Sequence, residues 1–148
     1  MLKKTIIVLL ALLFVVGFQP QRINAEEQVV KAPSILKQYV KHIFGDNAEV
    51  AMAVFKHESG LRSDAVNYNC TYENKDGKRY STFCKKGDKK NATSVDCGIG
   101  QTNVRGRVCP DELLTLEGNM QQVEKIYNEQ GLKAWASYIN GGYKKFLE

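Results

Sequence analysis

The residue of this sequence best suited to acid–base chemistry is Glu58, near the end of the apolar segment AEVAMAVFKHESG, residues 48–60. Apolar side chains recur there at i, i+3, i+4 and i+7, which predicts a helix with one buried stripe that Glu58 terminates. Partial burial and the negative end of a helix dipole both disfavour a charged carboxyl group. A general acid that works near neutral pH needs such surroundings. The alternative is that Glu58 merely ends the helix and reaches water.

A second carboxyl, that of Asp96, stands at the start of the segment DCGIGQTN, residues 96–103, whose two glycines predict a tight turn. Cleavage of a glycosidic bond needs one acid and often a second carboxylate that faces the sugar. Asp96 could supply that carboxylate, or it could be a turn residue bonded to its own backbone. Amide side chains that could bind sugar hydroxyl and acetamido groups are those of Asn67, Asn69, Gln101 and Asn103.

Aromatic residues could line a sugar cleft beside these polar groups, because their rings offer a flat apolar face. The candidates are Tyr80, Trp135, Tyr138 and Tyr143. The helical spacing of Trp135 and Tyr138 suits a buried core equally well.

Other kinds of catalytic site find little support. The sequence contains no glycine pattern for binding a phosphate or a dinucleotide. The only histidines are His42 and His57, and the cysteines suit structural bonds, so a Ser-His-Asp or Cys-His site is not expected. His57 adjoins Glu58, but neighbouring side chains on a helix point about 100° apart, which argues against cooperation between them. We expect no metal and no organic cofactor.

The N-terminus has the pattern of a secretory signal. Lys3 and Lys4 precede an uncharged run at residues 6–18, and the small residue Ala25 marks a cleavage point. This run is shorter than the ~20 residues that a membrane-spanning helix needs. The sequence therefore predicts a signal peptide at residues 1–25 and an exported domain at 26–148, with an uncleaved N-terminal anchor as the alternative.

The charge balance argues against a nucleic-acid partner. The net charge is +5, but the predicted signal holds three of the 21 basic residues and none of the 16 acidic ones. The remaining 123 residues have a net charge of +2, which gives little support to nucleic-acid binding and suits the anionic polymers of a cell wall. Their number is enough for one compact domain and too small for two ordinary ones.

All cysteines lie after the predicted signal, at Cys70, Cys84, Cys97 and Cys109. An even number in an exported chain predicts two disulfides. No C-x-x-C pair exists, which argues against a zinc site. Three pairings are open, and the sequential one (Cys70 with Cys84, Cys97 with Cys109) is favoured because it closes two local loops.

Hydrophobic periodicity predicts a mainly α domain. Helices are expected at residues 33–45, 48–58, 110–116, 119–130 and 134–138. Residues 26–32 are expected to be a loose lead-in. Residues 62–94 lack periodicity and are expected to form one loop or hairpin excursion, with a short strand at 78–83.

Capping residues define the ends of two of these helices. Asp46 and Glu49 are predicted to form a capping box ahead of the Glu58 helix, and Gly60 to be its C-terminal cap. Asn119 is predicted to cap the helix that Gly131 ends.

The motifs together resemble the lysozyme-like lytic transglycosylases, in particular the small exported type. The motifs are Glu58-Ser59-Gly60, the segment at 67–69, the Gly-x-x-Gln-x-Asn stretch within 94–103, and the Tyr138-containing stretch at 135–143. The resemblance covers residues 35–147, which is nearly all of the chain after the predicted signal.

This resemblance implies a lysozyme-like fold with a disulfide-stapled excursion, acting on the glycan strands of peptidoglycan. It makes Glu58 the catalytic acid and then base, with Ser59 supporting its carboxyl. Gln101 and Asn103 would line the cleft, and Tyr138 would lie near Glu58. Lytic transglycosylases break the bond between N-acetylmuramic acid and N-acetylglucosamine without water, because the muramoyl 6-hydroxyl closes on C1 as a 1,6-anhydro end. Lysozymes admit water instead.

Two positions depart from the family pattern. Gly100 replaces the bulky residue that is usual before the Gln, and Ile139 replaces the Asn that often follows the late Tyr. Asp96 matches the second carboxylate of animal-type lysozymes, but many transglycosylases also carry an Asp there. This position therefore does not distinguish the two reactions.

The leading hypothesis is a monomeric lytic transglycosylase that works without a cofactor in the periplasm, the cell envelope or outside the cell. Envelope-spanning machinery is a candidate partner. Sugar-binding roles fall to Ser59, Asn69, Gln101, Asn103 and Tyr138. The alternatives are a hydrolytic muramidase and a non-catalytic wall-binding module, which the changes at Gly100 and Ile139 favour.

Overall fold

The computed structural model describes residues 25–147, with side chains from Ile35 onward. The predicted signal peptide lies outside the described residues, except that Ala25 begins the first helix. The α-helices are Ala25–Phe44 (α1), Ala48–Ser59 (α2), Leu116–Gln130 (α3) and Ala136–Ile139 (α4). The strands are Val66–Glu73 (β1), Arg79–Phe83 (β2), Ser94–Cys97 (β3) and Thr102–Arg105 (β4).

Helices α1 and α2 are both predicted by the sequence, but α1 begins earlier than expected. It starts at Ala25, so the predicted loose lead-in at residues 26–32 is helical. This segment, EEQVVKA, consists mainly of good helix formers with two acidic residues at the start, where the helix dipole favours them.

The predicted capping box of Asp46 and Glu49 is wrong. A short 3₁₀ turn, Gly45–Asn47, leads directly into α2, and the N-cap residue Asn47 makes no side-chain capping bond. The 3₁₀ turn supplies backbone acceptors directly before α2, so the first N–H groups of α2 do not depend on a side-chain cap. Gly60 is confirmed as the C-terminal cap, in the left-handed conformation with φ 64°.

The main core lies between α1, α2, α3 and the last part of the chain. The Phe55 ring packs edge-to-face on Phe44, with 5.6 Å between ring centroids, and on Trp135 at 5.7 Å. Met120 and Val123 of α3 are fully buried in the same cluster. Burial of one such side chain stabilises a fold by about 1.5–3 kcal/mol. The cluster therefore fixes the C-terminal half of α2, where Glu58 lies.

The strands form one antiparallel sheet in the order β2-β1-β3-β4. Residues directly opposite each other on neighbouring strands share a face, so the register defines two different faces. The apolar face packs on Cys109 and Leu113 and includes Val66, Tyr68, Val95, Cys97 and Val104. The polar face carries Asn67, Asn69, Ser94, Asp96 and Asn103.

The prediction of a mainly α, lysozyme-like fold is therefore wrong, because the described chain combines its helices with a four-stranded antiparallel sheet and is of the α+β class. The predicted strand at residues 78–83 corresponds to β2, but β1, β3 and β4 are missed. In β1, VNYNCTYE, apolar or aromatic residues alternate strictly with polar ones. This alternation is typical of a strand, and the prediction overlooked it because Val66 is the one aliphatic residue of the segment.

Both disulfides of the favoured sequential pairing are confirmed. Cys70 in β1 is bonded to Cys84 just after β2, and Cys97 in β3 is bonded to Cys109. Two disulfides indicate an oxidising, exported environment. The helices at residues 25–147 include none that is long and apolar enough to cross a membrane.

Helix α3 begins at Leu116, so the predicted capping role of Asn119 is wrong. The N-cap is Thr115, whose hydroxyl accepts the backbone N–H of Gly118 at 3.1 Å. Asn119 lies within the helix and is fully buried. Gly131 is confirmed as the C-terminal cap.

The remaining predicted helical stretches are shorter than expected. The stretch at residues 110–116 contains only a 3₁₀ turn, Asp111–Leu114, before α3 begins. A further 3₁₀ turn, Gly131–Ala134, precedes α4, and another, Gly142–Phe146, follows it.

Candidate functional site

Glu58 lies in the last turn of α2, half-buried, and its carboxylate contacts the start of α4. The Oε1 atom accepts a hydrogen bond of 3.1 Å from the backbone N–H of Ser137. Ser137 is in the first turn of its helix, where a backbone N–H has no acceptor within the helix. Among the residues whose side chains are described, no donor reaches Oε2. One oxygen is thus held in place, and the other has no donor among these residues.

Ser59 is buried and bonds to the backbone instead of to the Glu58 carboxyl. Its hydroxyl donates to the carbonyl of Phe55 at 3.0 Å and accepts the N–H of Leu61 at 3.2 Å. Leu61 has a positive φ of 64°, as Gly60 has, which is uncommon for a residue with a side chain. Ser59 therefore fixes the path of the chain that leaves α2, and the direct support of the carboxyl that we expected is absent among its hydrogen bonds.

The glycine-rich segment forms the predicted tight turn, at residues 98–101 between β3 and β4, and Asn119 holds it. The Oδ1 atom of Asn119 accepts the N–H of Gly100 at 2.8 Å. Its Nδ2 atom donates to the carbonyls of Cys97 at 2.9 Å and of Leu113 at 3.0 Å. A single buried side chain thus joins α3, the turn and the segment before α3.

The packing against α3 explains why position 100 is a glycine. A Cβ atom placed on Gly100 would lie 2.2 Å from Cγ2 of Val123, and one placed on Gly98 would lie 2.2 Å from Nδ2 of Asn119. No side chain can be accommodated at such distances without moving α3. Position 100 therefore carries Gly instead of the bulky residue of the family pattern because α3 lies so close to the turn.

Trp135 belongs to the core rather than to an open cleft. Its side chain is 5 % exposed, and its indole N–H donates to the carbonyl of Gly100 at 2.8 Å. The same indole packs on Phe55. Trp135 therefore connects the turn to α2 and positions Ser137, two residues further along the chain.

Asp96 lies on the polar face of the sheet, and both of its carboxylate oxygens are bonded. Oδ2 accepts Nδ2 of Asn69 at 2.8 Å, and Oδ1 accepts Nδ2 of Asn103 at 2.7 Å. Asp96 is a strand residue opposite Asn67 and Asn103, so the alternative of a turn aspartate bonded to its own backbone is wrong. The two amides fix the orientation of the carboxylate.

Gln101 connects the turn to β1. Its Oε1 atom accepts Nδ2 of Asn67 at 2.6 Å, and its Nε2 atom donates to the carbonyl of Gly98 at 2.8 Å. Its backbone is left-handed, with φ 50°. Both ends of this amide are thus held by the protein, and one N–H remains for a ligand.

Three hydrogen bonds connect the sequence motifs to one another. Asn67 bonds to Gln101, Trp135 bonds to Gly100, and Ser137 bonds to Glu58. The structure thereby brings together the first motif, the Asn67 segment, the glycine turn and the last motif. It does so through contacts that are far apart along the chain.

Tyr138 and Tyr143 stack on each other, with 5.4 Å between centroids and 24° between planes. Together with Lys133 and Lys144 they line a cavity of about 550 Å³. Tyr138 directly follows Ser137, so this cavity begins beside the residue that bonds Glu58. Ile139, which lines it too, is 70 % exposed.

Two residues considered in the sequence lie elsewhere. Tyr80 is opposite Tyr72 on the apolar side of the sheet, so the sheet separates it from Asp96. The Tyr72 hydroxyl accepts the N–H of Lys85, which lowers the pKa of Tyr72. Loss of hydration and the carboxylate of Asp88 raise this pKa by a larger amount, so it is raised overall. His57 packs on the Phe146 ring at 6.1 Å and makes no hydrogen bond to Glu58 among the described residues.

Sequence reasoning missed the roles of Ser137 and Asn119. Ser137 is 1 % exposed, and its hydroxyl has no hydrogen-bond partner among the described residues. A Trp-Ala-Ser sequence carries no signal for a backbone bond to a distant carboxylate. For Asn119, the signal was its position between apolar residues, since a polar residue in a buried helical stripe has to find partners.

Comparison with protein-family models, with curated proteins and with solved structures finds no match to this chain. Within residues 25–147, no group of three or more His, Cys, Asp or Glu side chains gathers so as to hold a metal ion.

Proposed function

We propose that this protein is a peptidoglycan lytic transglycosylase in which Glu58 is the general acid and then the general base. The observation that carries the proposal is the hydrogen bond from Ser137 to Glu58, because it joins the last motif of the sequence to the carboxylate of the first. The bonds of Gln101 to Asn67 and of Trp135 to Gly100 attach the middle motif to the same arrangement. These contacts support a single site assembled from the motifs that resemble the lytic transglycosylases.

In the first step, the protonated Glu58 carboxyl gives its proton to the glycosidic oxygen, and the bond from this oxygen to C1 of the muramoyl residue breaks. The N-acetylglucosamine leaves with a new 4-hydroxyl. In the second step, the Glu58 carboxylate removes the proton of the muramoyl 6-hydroxyl as its oxygen bonds to C1. The product is a 1,6-anhydro end, Glu58 is protonated again, and no water is consumed.

The polar face of the sheet supplies the sugar-binding groups in this proposal. Asn69 and Asn103 each use their N–H groups to hold Asp96, which leaves their carbonyl oxygens for sugar hydroxyl or amide donors. Tyr138, which directly follows Ser137, supplies an aromatic wall close to Glu58. Asp96 contributes negative charge, which stabilises the cationic character that develops at C1.

The substrate in this proposal lies in the periplasm, the cell envelope or the surroundings of the cell. The disulfides support an exported chain. In this proposal the enzyme acts as a monomer on peptidoglycan glycan strands and does not bind nucleic acid. Binding to envelope-spanning machinery would direct it to one place in the envelope.

The test is to incubate wild type and Glu58→Gln with purified sacculi and to analyse the released fragments by mass spectrometry. Loss of a general acid lowers rates by about 10²–10⁴-fold, so Glu58→Gln should release almost nothing. The matched control is Glu49→Gln, an exposed glutamate on the same helix, which should retain full activity. Equal activity of Glu58→Gln and wild type contradicts the proposal. Wild type that binds sacculi and releases no fragment indicates a wall-binding module instead.

A second candidate, a muramidase that cleaves the same bond with water, is favoured by one observation. The Asp96 carboxylate is held by two amide side chains in a fixed orientation, as a second catalytic carboxylate requires. The fragments distinguish the two reactions, because transglycosylation leaves 1,6-anhydro ends and hydrolysis leaves reducing ends that are heavier by one water. Reducing ends in the earliest fragments would overturn the transglycosylase proposal in favour of the muramidase.

A further inference from the structure

The register of the sheet aligns four residues in one row across the polar face. Phe83 of β2 is opposite Asn69 of β1, Asn69 is opposite Ser94 of β3, and Ser94 is opposite Arg105 of β4. Opposite residues share a face and lie close together. We call this set the Phe83–Arg105 row. It runs beside the pair formed by Asp96 and Asn103.

Phe83 is a large aromatic residue that the fold leaves in contact with solvent. Its side chain is 62 % exposed on β2, the edge strand next to β1, and its backbone position is held by the disulfide at the adjacent Cys84. Neighbouring strands are about 4.8 Å apart, so Phe83 in β2 and Ser94 in β3 are separated by about 10 Å across the sheet. A chain of two sugar rings spans such a distance. Asn69 lies between them and bonds Asp96 directly.

Arg105 ends the same row with a positive charge. Its side chain is exposed, and no carboxylate among the described residues forms an ion pair with it. A guanidinium binds a carboxylate with two parallel hydrogen bonds. The row therefore offers an aromatic ring at one end, amide and hydroxyl groups in the middle, and a carboxylate-binding group at the other end.

We propose that the Phe83–Arg105 row is a saccharide-binding subsite for the glycan strand, in which a sugar ring stacks on Phe83 and the free lactyl carboxylate of a muramic residue without a peptide binds Arg105. The proposal rests on the proposed function, since it takes the glycan as the ligand of the polar face. Phe83 comes from the disulfide-closed hairpin, which the family motifs do not include. It determines how tightly the strand is held, and Glu58 determines whether the strand is cut.

The first test measures binding of peptide-free glycan oligosaccharides by calorimetry in the Glu58→Gln background, so that nothing is cleaved. Removal of the stacking surface in Phe83→Ala should weaken binding about tenfold, whereas Phe83→Trp keeps an aromatic face and should retain binding. The matched control is Tyr80→Ala, an exposed aromatic on the opposite face of the same strand, which should leave binding unchanged. Equal weakening by Phe83→Ala and Tyr80→Ala would overturn the stacking role.

The second test compares the peptide-free glycan with two other ligands: peptide-bearing strands, whose lactyl groups are amides, and chitin oligosaccharides, which lack carboxylates. Arg105→Gln should weaken binding of the glycan about tenfold and leave chitin binding unchanged, whereas Lys86→Gln, an exposed cation outside the row, should affect neither. Equal weakening for the peptide-free glycan and chitin, or an effect only on peptide-bearing strands, would overturn the lactyl assignment. Cleavage is read separately from binding. If Glu58→Gln cut sacculi like wild type, the proposed function would fail while the contrast between Phe83 and Tyr80 still tested the subsite.

Discussion

The side chain of Asn119 binds the backbone of Gly100, with Oδ1 accepting the amide N–H at 2.8 Å in a fully buried position. The same amide also donates to Cys97 and Leu113. These bonds occupy the side chain from both ends, and they place α3 directly on the turn that separates β3 from β4. The position of this turn determines where Gln101 contacts β1.

Replacement of Asn119 by Ala should destabilise the protein by about 3 kcal/mol or more, because each buried group left without a partner costs about 1–3 kcal/mol. The groups affected are the N–H of Gly100 and the carbonyls of Cys97 and Leu113. The free energy of unfolding in urea measures the effect. Asn128→Ala, an exposed residue of the same helix, is the control and should change it by less than about 0.5 kcal/mol. Similar values for both variants would contradict the role of Asn119.

The sequence indicates α2 and α3 well because their apolar residues repeat with clear contrast. The stripe that contains Phe55 in α2 and the one that contains Val123 in α3 are both buried as expected. The sheet is missed because the alternation of apolar and polar residues in β1 includes one aliphatic side chain, that of Val66, and because β3 and β4 have four residues each. Pairing between β1 and β3 joins residues 25 to 31 positions apart, which local periodicity does not report.

A methyl group at position 100 should destabilise the protein less when Val123 has lost its own methyl groups. A Cβ atom on Gly100 would lie 2.2 Å from Cγ2 of Val123, and overpacking of this kind costs about 1–3 kcal/mol. We expect Gly100→Ala to destabilise by about 2 kcal/mol. The double variant with Val123→Ala should be more stable than the sum of the two single changes predicts, by about 1 kcal/mol. Strictly additive losses in urea unfolding would show that the two positions are not in contact.

The candidate site could be predicted in part from the sequence. Glu58, Asp96, Asn69 and Asn103 follow from residue types that suit sugar chemistry, and the last three meet on the polar face. The bond from Ser137 to Glu58 could not be predicted, because the donor is a backbone N–H and any residue except proline supplies one. The position of this group depends on the packing of Trp135 in the core.

This dependence on a backbone group makes Ser137→Pro an informative variant. Proline removes the N–H that holds Oε1 of Glu58, and the first turn of a helix tolerates proline. A hydrogen bond to a charged group contributes about 1.5–3 kcal/mol, so we expect kcat on sacculi to fall at least tenfold with little change in KM. Ser137→Ala keeps the N–H and should retain wild-type kcat. Equal kcat for Pro and Ala, with both proteins folded by circular dichroism, would rule out a role of this bond.

Asp96→Asn tests the charge of the second carboxylate. In the proposed reaction the muramoyl 6-hydroxyl attacks C1, so Asp96 only stabilises positive charge, and we expect about a tenfold loss of kcat/KM. That loss is smaller than the loss in Glu58→Gln, in which the acid itself is absent. The Asn103→Ala variant, which frees one oxygen of Asp96 without removing its charge, serves as the comparison and should lose less. A loss in Asp96→Asn as large as that in Glu58→Gln would favour the muramidase reaction, in which a second carboxylate is essential.

Removal of the two disulfides should lower the stability of the protein by different amounts. They close loops of similar length, with separations of 14 and 12 residues, so loop entropy alone predicts a similar loss of about 3 kcal/mol for each. Cys97 and Cys109 are both buried beside Val95, whereas in the other pair Cys70 is buried and Cys84 is half-buried at the end of the hairpin. Replacement of Cys97 and Cys109 together by Ala should therefore cost more in urea unfolding, because a packed cluster loses its sulfur atoms as well.

Replacement of Cys70 and Cys84 by Ala should act mainly on the hairpin. We expect limited proteolysis to cut this variant first between β1 and β2, at residues 74–78, while the main core stays intact. Glycan binding in the Glu58→Gln background should fall as it does in Phe83→Ala, because Phe83 directly precedes Cys84 and loses its fixed position. First cleavage within α3, or unchanged glycan binding, would contradict a local role for this disulfide and for the hairpin that it closes.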